Sequence, residues 1–341
     1  MIRIILRQFT VLALTLFVLT VLAFSLAFWF PGNAITNASG VLVTDIHYQA
    51  VATARAFDKN IISQYLAYMA HFFAFDWGVS LQDGASVWQE FKLRFPATLE
   101  LSLLAMALAL LLGPPLGILA AMHHNKPIDQ IITFFSLSGY SIPVFWMAQL
   151  SILIFAVALG WVPIAGQVNP LFDIPLVSGS ILVDIWLAEQ PYRGIALLNA
   201  LQHMILPVIV LATVPLVLLI RLTRNACVDV LRLNFVKGAY ARGLSTPEVL
   251  FKHVIPNTMQ EVTLHISTAF SLLITNTLII EMIFSWPGLG RWLVRSIYER
   301  DYPVIQGVLL LLASLILLVN VATTIFHAWR FPRVRRELNA T

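Results

Sequence analysis

With 341 residues, 59% of them hydrophobic and 11% charged, and a mean hydropathy of +0.83, the chain is too apolar for a water-soluble fold, in which about a quarter of residues carry charge. The net charge of +4 does not gather into a soluble basic face, so nucleic acid is not an expected partner. The single Cys227 excludes an intrachain disulfide and a cysteine metal cluster.

In chain order, Arg3 and Arg7 precede an apolar run from Phe9 to Phe30, closed by Trp29-Phe30-Pro31-Gly32. About 20 apolar residues cross a bilayer. No small-x-small cleavage site follows a short core, so the run reads as an uncleaved first span and not as a signal peptide. Residues 33–95 are mixed in sign and aromatic, with an amphipathic helix expected around Ile61 to Phe75. The second span is expected at Pro96–Met122, kinked at Gly113-Pro114-Pro115. A short polar turn with His123, His124 and Lys126 leads to a third span, Ile131–Leu159, which contains Pro143. Residues 161–199 form a polar excursion with Asp173, Asp184, Glu189 and Arg193. A fourth span is expected at His203–Leu222, a fifth at Asn257–Phe284 and a sixth at Val304–Ala328, before a basic tail from Arg330 to Arg336. The fold class predicted is therefore all-α integral membrane with six transmembrane helices. Residues 1–95 supply the first span and a long external segment, and residues 96–341 form a five-span core.

Six spans place both termini on one side, and basic residues favour the cytoplasmic side. The termini, the 123–130 turn and the 221–257 loop hold 13 of the 21 Lys and Arg; the alternate loops hold 8 over nearly twice the length. Both termini are thus expected in the cytoplasm.

Residues 235–256, FVKGAYARGLSTPEVLFKHVIP, interrupt two apolar spans with Lys237, Arg242, Glu248 and Lys252. Ser245-Thr246-Pro247-Glu248 is a helix-start signal. The stretch reads as a short helix, a turn at Gly243 and a second helix lying across the membrane surface, with Pro256 closing it. It resembles the signature loop of bacterial ABC-importer permeases, E-A-A-x-x-x-G followed by I-x-L-P. The matching positions are Lys237-Gly238-Ala239, Gly243 and His253-Val254-Ile255-Pro256, with Lys237 in place of the glutamate. Nearly the whole chain is similar to permeases of the dipeptide/oligopeptide importer family. The similarity is carried by Asp76-Trp77-Gly78-Val79-Ser80, Pro96-Ala97-Thr98-Leu99-Glu100, Ser141-Ile142-Pro143, Ile280-Glu281 through Ser285-Trp286-Pro287-Gly288-Leu289-Gly290, and Arg300-Asp301-Tyr302-Pro303. The Trp186–Leu197 segment leading to His203-Met204-Ile205-Leu206-Pro207 is most similar to the Sap-type branch, associated with antimicrobial-peptide uptake or putrescine export.

The resemblance implies a type I permease in the bacterial inner membrane, with a cytoplasmic coupling helix. Its expected partners are a second homologous permease, two ATP-binding cassette ATPases and a periplasmic solute-binding protein. Coupling falls to Lys237, Gly238, Ala239, Arg242, Gly243, Leu244 and Pro256. The sequence contains no G-x-x-x-x-G-K-[ST] loop to cradle nucleotide phosphates. ATP is therefore expected to be used by partner subunits, and no cofactor, metal or catalytic residue is expected here. A passive channel or a polyamine exporter stands as the alternative reading.

Ionisable residues in spans are functional candidates because burying charge in lipid is costly. Glu261 is placed at the inner end of a pathway. Glu281 is placed either at the outer mouth, with Trp286, Pro287 and Gly288, or in an ion pair with Arg291 or Arg295. Glu100 is expected to reach the interface, Asn276 and Asn320 to bond between helices, and Ser285–Tyr302 to form an external flap anchored by Trp286 and Trp292.

Overall fold

The computed structural model describes residues 2–188 and 190–331. Met1, Glu189 and the basic tail residues Arg333, Arg335 and Arg336 lie outside them. The elements are α1 (Ile2–Trp29), α2 (Ala34–Ser39), α3 (Tyr48–Ala54), α4 (Ile61–Phe73), α5 (Val87–Met122), α6 (Pro127–Ser141), α7 (Val144–Ser151, continued by a π-helical stretch to Ala158), α8 (Ile181–Leu187), α9 (Arg193–Arg232), α10 (Asn234–Ala241), α11 (Thr246–Val249), α12 (Ile255–Leu264), α13 (Ile266–Ile283), α14 (Leu289–Glu299) and α15 (Tyr302–Arg330). Among the described residues no strand is formed.

Five helices (α1, α5, α9, α13 and α15) are long and apolar enough to cross a bilayer, and the bent pair α6–α7 makes a sixth crossing if counted as one span. The expected single third helix is corrected here: the pair is bent by 99°. Ile142, held extended ahead of Pro143, ends α6 because the proline ring disfavours helical backbone in the residue before it. Two of the other spans are longer than a bilayer crossing needs. At about 1.5 Å per residue, α5 and α9 reach about 54 and 60 Å, well beyond a hydrocarbon layer of about 30 Å. Helix α5 also runs unbroken through Pro96, the expected start of the span, and through Gly113-Pro114-Pro115, where a kink is expected from sequence. The predicted fifth span is two helices, parted at His265.

Helices α5 and α9 form the centre of the bundle. Along α5 a stripe of small residues recurs every four positions, Ala105, Ala109, Gly113, Gly117 and Ala121, all buried. Small side chains let membrane helices approach until backbones touch, which yields dispersion energy that lipid contact would not. At Gly117 the approach is close enough that an added Cβ would lie 2.6 Å from the Thr223 Cβ and 2.7 Å from the Ile220 carbonyl oxygen. Gly117→Leu is accordingly expected to cost at least about 1–3 kcal/mol through overpacking. It should appear as a fall in melting temperature of the detergent-solubilised protein, whereas replacement at exposed Leu111 should leave that temperature in place.

Polar ties fix the two ends of the bundle. At one end Phe30 stacks on Tyr302 with centroids 4.2 Å apart, and Asn37 donates to the Ala27 and Phe30 carbonyls. At the other end His327 Nε2 lies 2.9 Å from the Gln260 carbonyl oxygen. Residues 30–87, 159–193 and 284–302 therefore share one end. The 122–127 turn, residues 232–255 and the end of α15 share the other, in the alternation the basic residues predict.

Candidate coupling surface and outer turn

The 234–256 stretch is an elbow seated on its own small core. Val236 and Ala239 on one face of α10, with Val249 and Val254 beyond the turn, pack on Ala121, Cys227 and Val228 from the ends of α5 and α9. Leu244 is half-buried against this cluster. Gly243 holds φ at +83°, a left-handed conformation that costs glycine little, and no other atom lies within 4 Å of where its Cβ would be. Helix α11 starts with a capping box. The Glu248 carboxylate accepts from the Ser245 amide at 3.1 Å and from its hydroxyl at 3.0 Å. Those bonds, amide first, and then Lys252 hold the Glu248 carboxyl below its usual range.

Pro256 does not close the elbow. The helical run continues from Thr246 to Leu264, with π-helical turns at Leu250–Val254 just ahead of the proline. Pro256, the second residue of α12, follows directly on these π-helical turns, and the helical run passes through it. Phe235, Tyr240 and Phe251 of the elbow are each 43% exposed or more. Beside them stand exposed Lys237, Gly238 and Arg242. Lys237 and Arg242 make no ion pair among the described residues, while Lys252 pairs with Glu248 at 3.5 Å. Aromatic anchors ringed by unpaired cations suit a partner groove that is apolar at its floor and acidic at its rim.

A clamp that sequence reading did not reveal ties α9, the helix that leads into the elbow, to α6. Arg224 on α9 donates to Asp129 on α6 through Nε at 2.6 Å and Nη2 at 2.7 Å. Its Nη2 also donates to His124 Nδ1 at 3.2 Å, and Asp129 accepts the Asn125 amide at 2.9 Å. Glu261 is exposed at the same end and lies 3.7 Å from His265. Among the described residues no cluster of His, Cys, Asp or Glu is gathered as a metal site.

At the opposite end, Glu281 and Trp286 do not line an opening, a correction to the expected outer mouth. Both are fully buried. The Glu281 carboxylate accepts from the Thr98 hydroxyl at 2.7 Å and from the Gly290 and Arg291 amides at 2.6 and 3.1 Å. Its partner at residue 291 is thus the backbone. The Arg291 guanidinium donates to the Ser285 carbonyl, and Arg295 pairs with Glu299. A Cβ at Gly288 would fall on the Glu281 carboxylate, so the glycine is required by close approach. Trp286 Nε1 donates to the Ala97 carbonyl at 2.9 Å, which binds the turn to α5 instead of to the lipid interface. Pro287 borders a cavity of about 400 Å³ that also meets Asp83, Arg94, Arg291 and Trp292.

Local bonds account for two further polar residues. Glu100, half-buried near the start of its span, accepts from the Ser180 hydroxyl and from the Ile181 and Leu182 amides, capping α8. Asn276 donates to Leu272 within its own helix and not to a neighbour. The turn after α14 closes through Asp301, 2% exposed, which accepts from Ser80 Oγ at 2.5 Å and from the Leu81 amide at 3.2 Å. Burial pushes the Asp301 carboxyl above its ordinary value, a shift its hydrogen bonds oppose. An acid raised on folding favours the folded state below its unfolded pKa of about 3.9 and loses that contribution as pH rises through its folded pKa. Asp301→Asn should therefore hold or raise the melting temperature at pH 8 relative to the parent, and this advantage should vanish by pH 4. A thermal series across that range measures it.

A family described as binding-protein-dependent transport system inner membrane component matches residues 113–336, and its N-terminal counterpart matches residues 1–102. The chain is 38% identical over 338 residues to the di/tripeptide transport system permease protein DppB of Pseudomonas aeruginosa, covering 99% of this chain and 100% of that one. It is 35% identical over 332 residues to the peptide transport system permease protein SapB of Salmonella typhimurium, and 36% identical over 332 residues to the putrescine export system permease protein SapB of Escherichia coli K12, covering 97% of both chains in each case.

Proposed function

The chain belongs to the family of binding-protein-dependent transport system inner membrane components, and from that premise we propose that it is the permease subunit of an ATP-driven transporter that moves peptides across the bacterial inner membrane. The full-length similarity to permeases named for di/tripeptide and peptide transport carries this reading. A second homologous permease completes the pathway, two ATPases sit on the cytoplasmic side, and a solute-binding protein delivers peptide from the periplasm. The chain itself holds no nucleotide; ATP is used by the partners. Both termini and the elbow face the cytoplasm, in keeping with the excess of basic residues at that end. The division into residues 1–95 and a core of 96–341 is kept in this proposal, with α5 crossing the boundary.

The elbow residues Lys237, Gly238, Ala239, Arg242, Gly243, Leu244 and Pro256 form or support the docking face. Phe235, Tyr240 and Phe251 are its anchors. When the ATPases close around ATP, the elbow is displaced, and α9 carries the displacement through Arg224–Asp129 into α6. The permease pair thereby shifts between inward- and outward-facing populations. Glu261, exposed at the inner end, borders the path there, and Pro287 borders the outer approach.

Putrescine export is the second reading, favoured only by the name of one relative. The test is reconstitution of the assembled complex in liposomes with a panel of peptides and putrescine. ATP-dependent accumulation of peptides supports the first reading and ATP-dependent putrescine movement alone supports the second. Flux that persists without the ATPases would mark a channel and sink both.

A further inference from the structure

We propose that α4 is an interfacial helix embedded in the membrane leaflet at the Phe30–Tyr302 end, with Ile62, Leu66, Met69 and Phe73 in contact with lipid acyl chains. Under the orientation proposed above this is the outer leaflet. The residues of α4 fall into three arcs at 3.6 per turn. Tyr65, Tyr68 and Phe72 point inward: the Tyr65 ring meets Phe17 and Phe24 of α1, Tyr68 meets Phe24, and Phe72 stacks on Trp77. Ser63, Gln64 and His71 form a polar arc, with His71 paired to Asp76 at 2.8 Å. Ile62, Leu66, Met69 and Phe73 form the third arc. Ile62, Leu66 and Phe73 are between 62% and 69% exposed, and among the described residues nothing covers them.

A helix with one protein-bound, one polar and one bare apolar face is built for the boundary between water and acyl chains. Depth supports lipid as the occupant. The Tyr65 hydroxyl bonds Thr20 Oγ1 at 2.8 Å. Thr20 lies nine residues before the end of α1, about 14 Å along the helix, so α4 packs beside the apolar run of α1 and not beyond its end. Lipid continuity supports it as well. Leu14, Phe17, Val18, Val21 and Leu22 of α1 are exposed beside α4 over an arc broader than one neighbouring helix covers. The bare stripe on α4 extends that surface.

The proposal is tested in proteoliposomes of the complete complex. Nitroxide labels are placed singly by Ile62→Cys, Leu66→Cys, Met69→Cys and Phe73→Cys, with Asp58→Cys and Ser63→Cys for comparison; native Cys227 is fully buried and stays unlabelled. Collision with oxygen is expected to exceed collision with an aqueous nickel complex at the four stripe positions, with the order reversed at 58 and 63. Nickel access along the stripe would mean water and overturn the proposal. Low access to both reagents would mean a covering protein, such as the second permease, and would equally overturn it. Because the reading depends on depth and not on side, it stands or falls independently of the proposed orientation and solute.

Discussion

Gly243→Trp is expected to reduce ATP-driven transport by at least about tenfold, a difference of about 1.4 kcal/mol in docking, while the subunit stays folded and inserted. The physical reason lies in two features of one residue. Its φ of +83° penalises any side chain by about 1–2 kcal/mol, yet nothing in the chain lies within 4 Å of the added Cβ. A tryptophan there would not disturb the Val236–Val254 cluster beneath it; it would project from the elbow toward whatever docks. Gly243→Ala separates the two effects, since it carries the same backbone penalty with almost no projection. Transport and ATP hydrolysis, measured together in liposomes, should show a mild loss for alanine and uncoupling for tryptophan. Equal losses would assign the effect to backbone strain and remove the docking argument at this position.

The second large effect is expected at Glu281. Glu281→Ala removes the acceptor for the Thr98 hydroxyl and for the Gly290 and Arg291 amides in a site closed to water. Each buried donor left without a partner costs about 1–3 kcal/mol. The sum is a large fraction of a total stability of about 5–15 kcal/mol. The turn from Ser285 to Gly290, which joins α13 to α14 and leans on α5 through Trp286, should lose its fixed geometry. Folded protein recovered from membranes should fall sharply, and Glu281→Gln, which keeps one carbonyl acceptor, should retain more. Normal recovery of the alanine variant with loss of transport alone would instead restore a pathway role for Glu281.

The contrast between these two sites shows what the sequence made legible. Gly243, the Ser245–Glu248 cap and the charged run around them are local features, and their chemistry is complete within a few residues. The apolar runs are local too, so the spans could be placed, although their ends could not: α5 and α9 continue as helices well past the point where hydropathy falls. Glu281 could be seen only as an acid in a span, because its partner Thr98 lies 183 residues away. Asp129 and Arg224 are 95 residues apart, and Glu100 and Ser180 are 80 apart. Nothing in the spacing joins them. The polar residues that close the bundle ends were thus visible as polar and invisible as pairs. Pro143 and Pro256 show the same limit within one residue type, since a proline ends α6 in one case and enters the first turn of α12 in the other.

The elbow as the seat of the ATPases is the feature on which the proposed coupling depends. A photo-crosslinking residue in place of Tyr240 or Phe251, in cells expressing all subunits, tests this directly. Covalent capture of an ATPase subunit from both positions, changing in yield when ATP analogues are added, is the result predicted. Crosslinks confined to lipid or to the solute-binding protein would place this surface elsewhere and contradict the account.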